Sequence, residues 1–144
     1  MPYLRWLLFG GWMPGSVPAE LILTAVRVFT GLSLALAHGL DKVRNPETII
    51  GMAETMGAPL PTAAGWLSAL AEFVGGILLA LGLLTRPAAL LICGNMVVAG
   101  VGWHVIHRGD PYGTMEPAFL FLALAALYLV LGSGRLGVDR FLRR

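Results

Sequence analysis

One cysteine occurs in 144 residues. That scarcity excludes an internal disulfide framework and any multi-cysteine zinc or iron–sulfur site within this chain. Charge is scarce as well. Only 12% of residues are Asp, Glu, Lys or Arg, where soluble domains carry about 25%. Hydrophobic residues reach 57%, and mean hydropathy is +0.78. A soluble globule of this size cannot hide that much apolar surface behind so few charges, and disorder requires the opposite composition. The net charge is only +2 despite a pI near 9.1. No basic run is interleaved with aromatics, so nucleic acid is excluded as a partner. Gly132-Ser133-Gly134-Arg135 lacks the lysine and the following Ser/Thr of a phosphate loop, and there is no HExxH, Rossmann fingerprint or nucleophile–base spacing. What remains is an integral membrane protein.

Four long apolar segments are present, at about 21–40, 63–84, 88–106 and 117–133. Crossing about 30 Å of hydrocarbon takes roughly 17–25 helical residues. The runs are continuous rather than alternating, which selects helices over a closed barrel. The expected fold is all-α: a transmembrane four-helix bundle over residues 20–134. Residues 1–19 read as an amphipathic N-terminal segment with Trp6 and Trp12 at the interface, because the apolar run is too short and glycine-broken for a signal peptide and no cleavage site follows. Residues 135–144 read as a basic tail. The long connection 41–61 holds Ile49, Ile50, Met52, Ala53 and Met56, which predicts a short interfacial helix. Small residues four apart (Gly31 and Ala35, Ala71 and Gly75, Gly76 and Ala80) predict close helix packing.

With four spans, both termini and the Thr85–Pro87 turn share one side. That side holds Arg5, Arg86, Arg135, Arg140, Arg143 and Arg144, against Lys42, Arg44 and Arg108 on the other. The positive-inside rule therefore places both termini in the cytoplasm.

Polar residues within the spans carry the chemistry, since each is costly in lipid unless paired. At about 1.5 Å per residue, Arg27, Glu72 and Asn95 fall at depths of ~10, ~18 and ~12 Å from the same face. This layer predicts an Arg27–Glu72 pair with Asn95 beside it. Such a pair can simply set helix register, or it can line a polar pocket for the head group of a quinone or similar lipid-soluble ligand. A second layer, His38, Lys42, His104, His107 and Glu116, gathers at the opposite face. Arg27, Gly31, Leu34 and His38 form one helical stripe, so His38 should face inward if Arg27 does. Three readings stay open for the histidines: interfacial contacts with head groups and water, proton handling for a redox partner, or a metal or haem site, for which no full ligand spacing is evident. Cys93, mid-helix, reads as a small inert filler.

The strings Arg27-Val28-Phe29-Thr30-Gly31 and His38-Gly39-Leu40-Asp41-Lys42, the run Ala71-Glu72-Phe73-Val74-Gly75-Gly76 leading to Thr85-Arg86-Pro87, and the ending Gly132-Ser133-Gly134-Arg135-Leu136-Gly137-Val138-Asp139 resemble the DoxX family. The likeness covers about residues 21–139, with Gly137 where the family commonly has a serine. It implies a bacterial inner-membrane four-helix protein. It also implies a link to thiosulfate:quinone oxidoreductase subunits or to membrane complexes handling thiol or oxidative stress. The family's arginine, histidine, lysine and glutamate fall on Arg27, His38, Lys42 and Glu72.

The sequence-level expectation is therefore a small membrane subunit or anchor of a quinone-linked oxidoreductase system in the inner membrane. Glu72 and Arg27 are the catalytic candidates. Arg27, Glu72, Asn95, His38, Lys42 and His104 are the candidates for binding quinone, and no metal is assigned. Expected partners are membrane lipid, a protein of a redox complex and a second copy of the chain, because one cysteine and no cofactor motif cannot carry electrons alone. The alternatives are a non-enzymatic scaffold recruiting redox proteins to the membrane, and a small-molecule transporter.

Overall fold

The computed structural model describes residues 8–10 and 15–142. Most of the expected N-terminal amphipathic segment, including Trp6 and Trp12, lies outside the described residues. Ser16 starts the first helix, α1 (Val17–Arg44), by accepting a hydrogen bond from the Ala19 amide at 3.4 Å, with Pro18 in the first turn. Asn45 breaks the chain direction, and Pro46 opens α2 (Pro46–Thr55). Three further helices follow: α3 (Pro61–Leu81), α4 (Thr85–Arg108) and α5 (Tyr112–Leu131). A last turn, α6 (Asp139–Leu142), closes the described chain. There is no strand among the described residues. The four long helices α1, α3, α4 and α5 are each apolar and long enough to cross a membrane.

The observed spans differ from the expected ones at their ends. α1 extends four residues beyond Leu40, to Arg44, and α5 begins at Tyr112 rather than 117, because Pro111 is an effective N-terminal boundary and Pro117 is tolerated within the helix. The expected short helix between the first two spans is α2. It does more than lie at the interface: it presses on the start of α3, where a Cβ on Gly65 would stand 2.7 Å from Ile50 Cγ1.

α1 and α3 cross at almost bare backbone. A Cβ on Gly76 would lie 2.6 Å from the Gly31 carbonyl oxygen, and one on Gly31 would collide with the Gly76 carbonyl. Ala35 and Ala80 flank the crossing, so two of the three small-residue pairs meet each other, as close approach in lipid requires. The apolar core runs through Leu34, Leu79, Ala89, Ile92, Met96, Ala125 and Tyr128.

Two helices are wound loosely over part of their length. α1 takes π-helical geometry over Leu34–Gly39, and α4 over Val98–Arg108. Each residue of a π-helix advances the facing direction less than in an α-helix. The buried stripe of α1 is therefore Arg27, Gly31, Ala35 and Gly39, with Lys42 half-buried and His38 exposed. The inward placement expected for His38 from a regular helical stripe is thus not what the fold adopts.

We call the end of the bundle with the α3–α4 turn the turn end, and the opposite end, with residues 45–60 and 109–111, the loop end. At the turn end the chain after α5 folds back as a strap. The Val138 and Asp139 amides donate to the Leu81 and Gly82 carbonyls at 3.2 and 2.8 Å. Gly82 has φ +68°, and a Cβ there would crowd Gly137 Cα at 2.7 Å, so the strap can cross only over glycine. Residues 135–144, read as a basic tail, thus include a part hydrogen-bonded to the bundle.

Candidate functional site

Glu72 is the only charge in the apolar run of α3, and its side chain is 3% exposed. Its Oε1 receives the Lys42 ammonium at 2.6 Å and the Asn95 amide Nδ2 at 2.8 Å. Its Oε2 is buried without a hydrogen-bond partner among the described residues. Three spans are tied at one carboxylate oxygen, since Lys42 comes from α1 and Asn95 from α4. Lys42, the sole lysine in the chain, remains about one quarter exposed, so the ion pair connects the interior to the loop-end surface. Lys42 reaches Glu72 because the loose winding of α1 turns Gly39 onto α3. There a Cβ would stand 2.6 Å from Phe73 Cα.

The expected Arg27–Glu72 pair does not form. Arg27, 2% exposed, donates through Nη1 to the Leu79 and Ala80 carbonyls, both at 2.7 Å. These belong to the last turn of α3, where the Leu79 carbonyl also accepts from the Gly82 amide at 3.1 Å and the helix dipole has its negative end. α3 ends at Leu81, three residues before the expected Leu84. The last-turn carbonyls therefore come level with Arg27, while Glu72 sits seven residues, ~10 Å, further along the axis. Arg27 is a structural cation of the turn end and leaves the candidate site.

Two carboxylates that sequence reasoning did not select complete the turn end. Asp139, 1% exposed, accepts from the Leu84 amide at 2.7 Å and from the Thr85 amide and hydroxyl at 3.0 and 2.7 Å. It caps α4 from a distant part of the chain, beside Leu84, whose φ of 47° is unusual for leucine. Glu20 accepts from the Arg135 amide, and the Tyr128 hydroxyl donates to the Leu23 carbonyl at 2.6 Å. A lone acid inside an arginine-rich tail was the available signal for Asp139.

The remaining candidates divide between two places at the loop end. The His104 Nδ1 lies 2.8 Å from Asp110 Oδ2, and Arg108 Nε lies 3.3 Å from the other oxygen. His107 stacks on Trp103 at 4.9 Å between ring centroids. His104 is therefore engaged with the loop rather than with Glu72. The His104 hydrogen bond and the nearby Arg108 charge hold the Asp110 carboxyl below its ordinary value. A carboxyl depressed on folding stabilises above its unfolded pKa and loses that contribution as pH falls through its folded value. Amide exchange at residues 108–112 is expected to stay slow through neutral and mildly acidic pH and to accelerate only at pH below the ordinary aspartate range. Asp110→Asn should abolish that acidic transition.

His38 stands edge-on to Phe121 of α5, with centroids 5.4 Å apart and planes at 78°. Phe121 also lines a groove of about 340 Å³ between α1 and α5, with Phe29, Thr30, Glu116, Pro117, Leu120 and Leu124. The Thr30 hydroxyl is buried and makes no hydrogen bond among the described residues. The groove opens on the side of the bundle, where Phe29 and Leu120 are exposed. Its size falls within the usual range of ligand pockets, about 300–1,000 Å³, and its walls have their character: mostly apolar with a few polar groups. Among the described residues no group of three or more His, Cys, Asp or Glu is arranged to hold a metal ion.

The profile of the DoxX family matches residues 22–105. An uncharacterised protein of Haemophilus influenzae is 31% identical over 109 residues, covering 72% of this chain and 78% of that protein. Inner membrane protein YphA of Escherichia coli is 27% identical over 148 residues, covering 97% of this chain and 99% of its own length. No solved structure matches. The family profile spans more than half of the chain, from α1 through most of α4, and the four apolar helices fit it: the chain belongs to the DoxX family and is a multi-pass inner-membrane protein.

Proposed function

We propose that the protein is a membrane subunit of a quinone-linked oxidoreductase system, with the lateral groove between α1 and α5 as the seat of the quinone head group. The observation that carries this reading is the groove itself. It is walled by the exposed Phe29 and by Phe121, and within its wall the buried Thr30 hydroxyl has no hydrogen-bond partner among the described residues. These residues suit a flat, lipid-soluble ring bearing carbonyl oxygens. Phe29 and Phe121 offer aromatic faces, the buried Thr30 a hydrogen-bond donor once its side chain rotates towards the groove, and the apolar stretch from Leu120 to Leu124 a wall for an isoprenoid tail. A quinone supplies two-electron, two-proton chemistry when bound. In this reading His38, exposed and edge-on to Phe121, exchanges protons with the loop-end side. Glu116, exposed at the groove, extends the same polar rim.

The Lys42–Glu72–Asn95 cluster is assigned a supporting role: it clamps α1 to α3 and α4 and so holds the α1 wall of the groove in place. Electrons come from a protein partner, since a single cysteine gives no dithiol within the chain. The charge count of the connecting segments orients the turn end to the cytoplasm, which puts the rim of the groove on the outer side.

A direct test is calorimetric titration of the purified protein in mild detergent with a decyl-substituted benzoquinone. Leu120→Trp and Leu124→Trp fill the groove with extra volume and should weaken binding at least tenfold while the protein remains monodisperse. Equal affinity in the parent and both variants would remove the groove from the mechanism.

A further inference from the structure

The strap at the turn end has two unlike sides. Its inner side is locked: Ser133, Gly137 and Asp139 are buried, and Asp139 caps α4. Its outer side alternates arginine with large apolar groups. Leu136 is 52% exposed, Val138 39%, Phe141 69% and Leu142 42%, with Arg135 and Arg140 exposed between them and Arg143 and Arg144 next in sequence. The hydrogen bonds from Val138 and Asp139 to Leu81 and Gly82 hold this surface at the level where α3 ends and α4 begins. For spanning helices, that level is the boundary between hydrocarbon and head groups.

From this placement we infer that the outer face of the strap is a docking surface for anionic phospholipid. Phe141 and Leu136 sit among the upper acyl carbons, and Arg135 and Arg140 pair with lipid phosphates. Each basic residue near an anionic leaflet contributes favourably and in a salt-dependent way, and apolar groups interleaved with arginine are the pattern of an interfacial segment. The consequence reaches the bundle, because the strap is also what ties α1, α3 and α4 at this end, through Glu20, Leu81 and Thr85. Anionic lipid bound outside the strap therefore stabilises the whole fold. This inference is independent of what occupies the groove at the other end.

The experiment compares thermal unfolding in nanodiscs of pure phosphatidylcholine with nanodiscs containing one third phosphatidylglycerol. The parent protein should melt about 5 °C higher with the anionic lipid, and the gain should shrink in 0.5 M salt. Arg135→Gln/Arg140→Gln should melt as the parent does in phosphatidylcholine and lose most of the gain. Phe141→Ser should lose part of it. A parent protein indifferent to phosphatidylglycerol, or a double variant keeping the full gain, overturns the inference. So does an equal gain from inorganic phosphate added to phosphatidylcholine discs, because a free anion would then suffice without a lipid surface.

Discussion

Lys42→Met is expected to destabilise the protein by about 3 kcal/mol, whereas Glu72→Gln costs only about 1 kcal/mol. The asymmetry follows from burial. Removing the lysine leaves a carboxylate that is 3% exposed, with Oε2 already unpartnered among the described residues and the Asn95 amide on Oε1. Removing the carboxylate leaves an ammonium group that is about one quarter exposed and can turn to water or to a lipid phosphate, as long basic side chains do near an interface. The double variant Lys42→Met/Glu72→Gln should recover most of what Lys42→Met loses, because no buried charge remains. Denaturant-induced unfolding of the four proteins in one detergent gives the cycle directly. If Lys42→Met is no worse than Glu72→Gln, Glu72 is not an ionised carboxylate held by the lysine.

Asp139→Ala is expected to be the most damaging single change at the turn end, at about 3 kcal/mol. Loss of an N-cap costs about 1 kcal/mol, and each buried donor left without an acceptor costs about 1–3 kcal/mol. Three donors depend on this carboxylate: two amides and the Thr85 hydroxyl. Leu84, held at positive φ, loses the bond that compensates its backbone. Asp139→Asn keeps one acceptor oxygen and should cost roughly half as much. Released from its cap, the strap should also become a protease substrate. Trypsin is expected to cleave after Arg135 and Arg140 in Asp139→Ala at concentrations that leave the parent intact. An Asp139→Ala protein with parental melting and parental resistance would show that the strap is held by its backbone bonds alone.

Arg27 shows how far the polar layer could be read. Its burial was legible, because an arginine inside an apolar run must find partners. Its partners were not, since they are backbone carbonyls, which have no signature in a sequence, and they became available only because α3 stops at Leu81. Depth arithmetic along the helices placed Arg27, Glu72 and Asn95 in one layer. It served for Asn95, which does bond Glu72, and failed for Arg27. His38 and Lys42 show the second limit. A regular helix carries the stripe from Arg27 to His38, yet six residues of looser winding hand the inner position to Gly39 and turn Lys42 onto Glu72. Where a π-helical segment falls depends on what the neighbouring helix will accept, and here the α3 backbone at Phe73 leaves room only for Gly39.

The sequence by itself determined the class, number and approximate extent of the spans, the small-residue faces that let helices pack closely, and the helical connection between the first two spans. Each follows from local quantities: hydrophobic run length against membrane thickness, missing side chains at Gly31 and Gly76, proline and glycine at helix ends. Only the tertiary structure decided which charges meet, that the C-terminal segment is a cap, and that a groove stands open between α1 and α5. Those depend on helix rotation and on residues far apart in the chain, such as Thr85 with Asp139 or Thr30 with Phe121. One residue's change in winding turns every side chain that follows, so no local pattern could settle them.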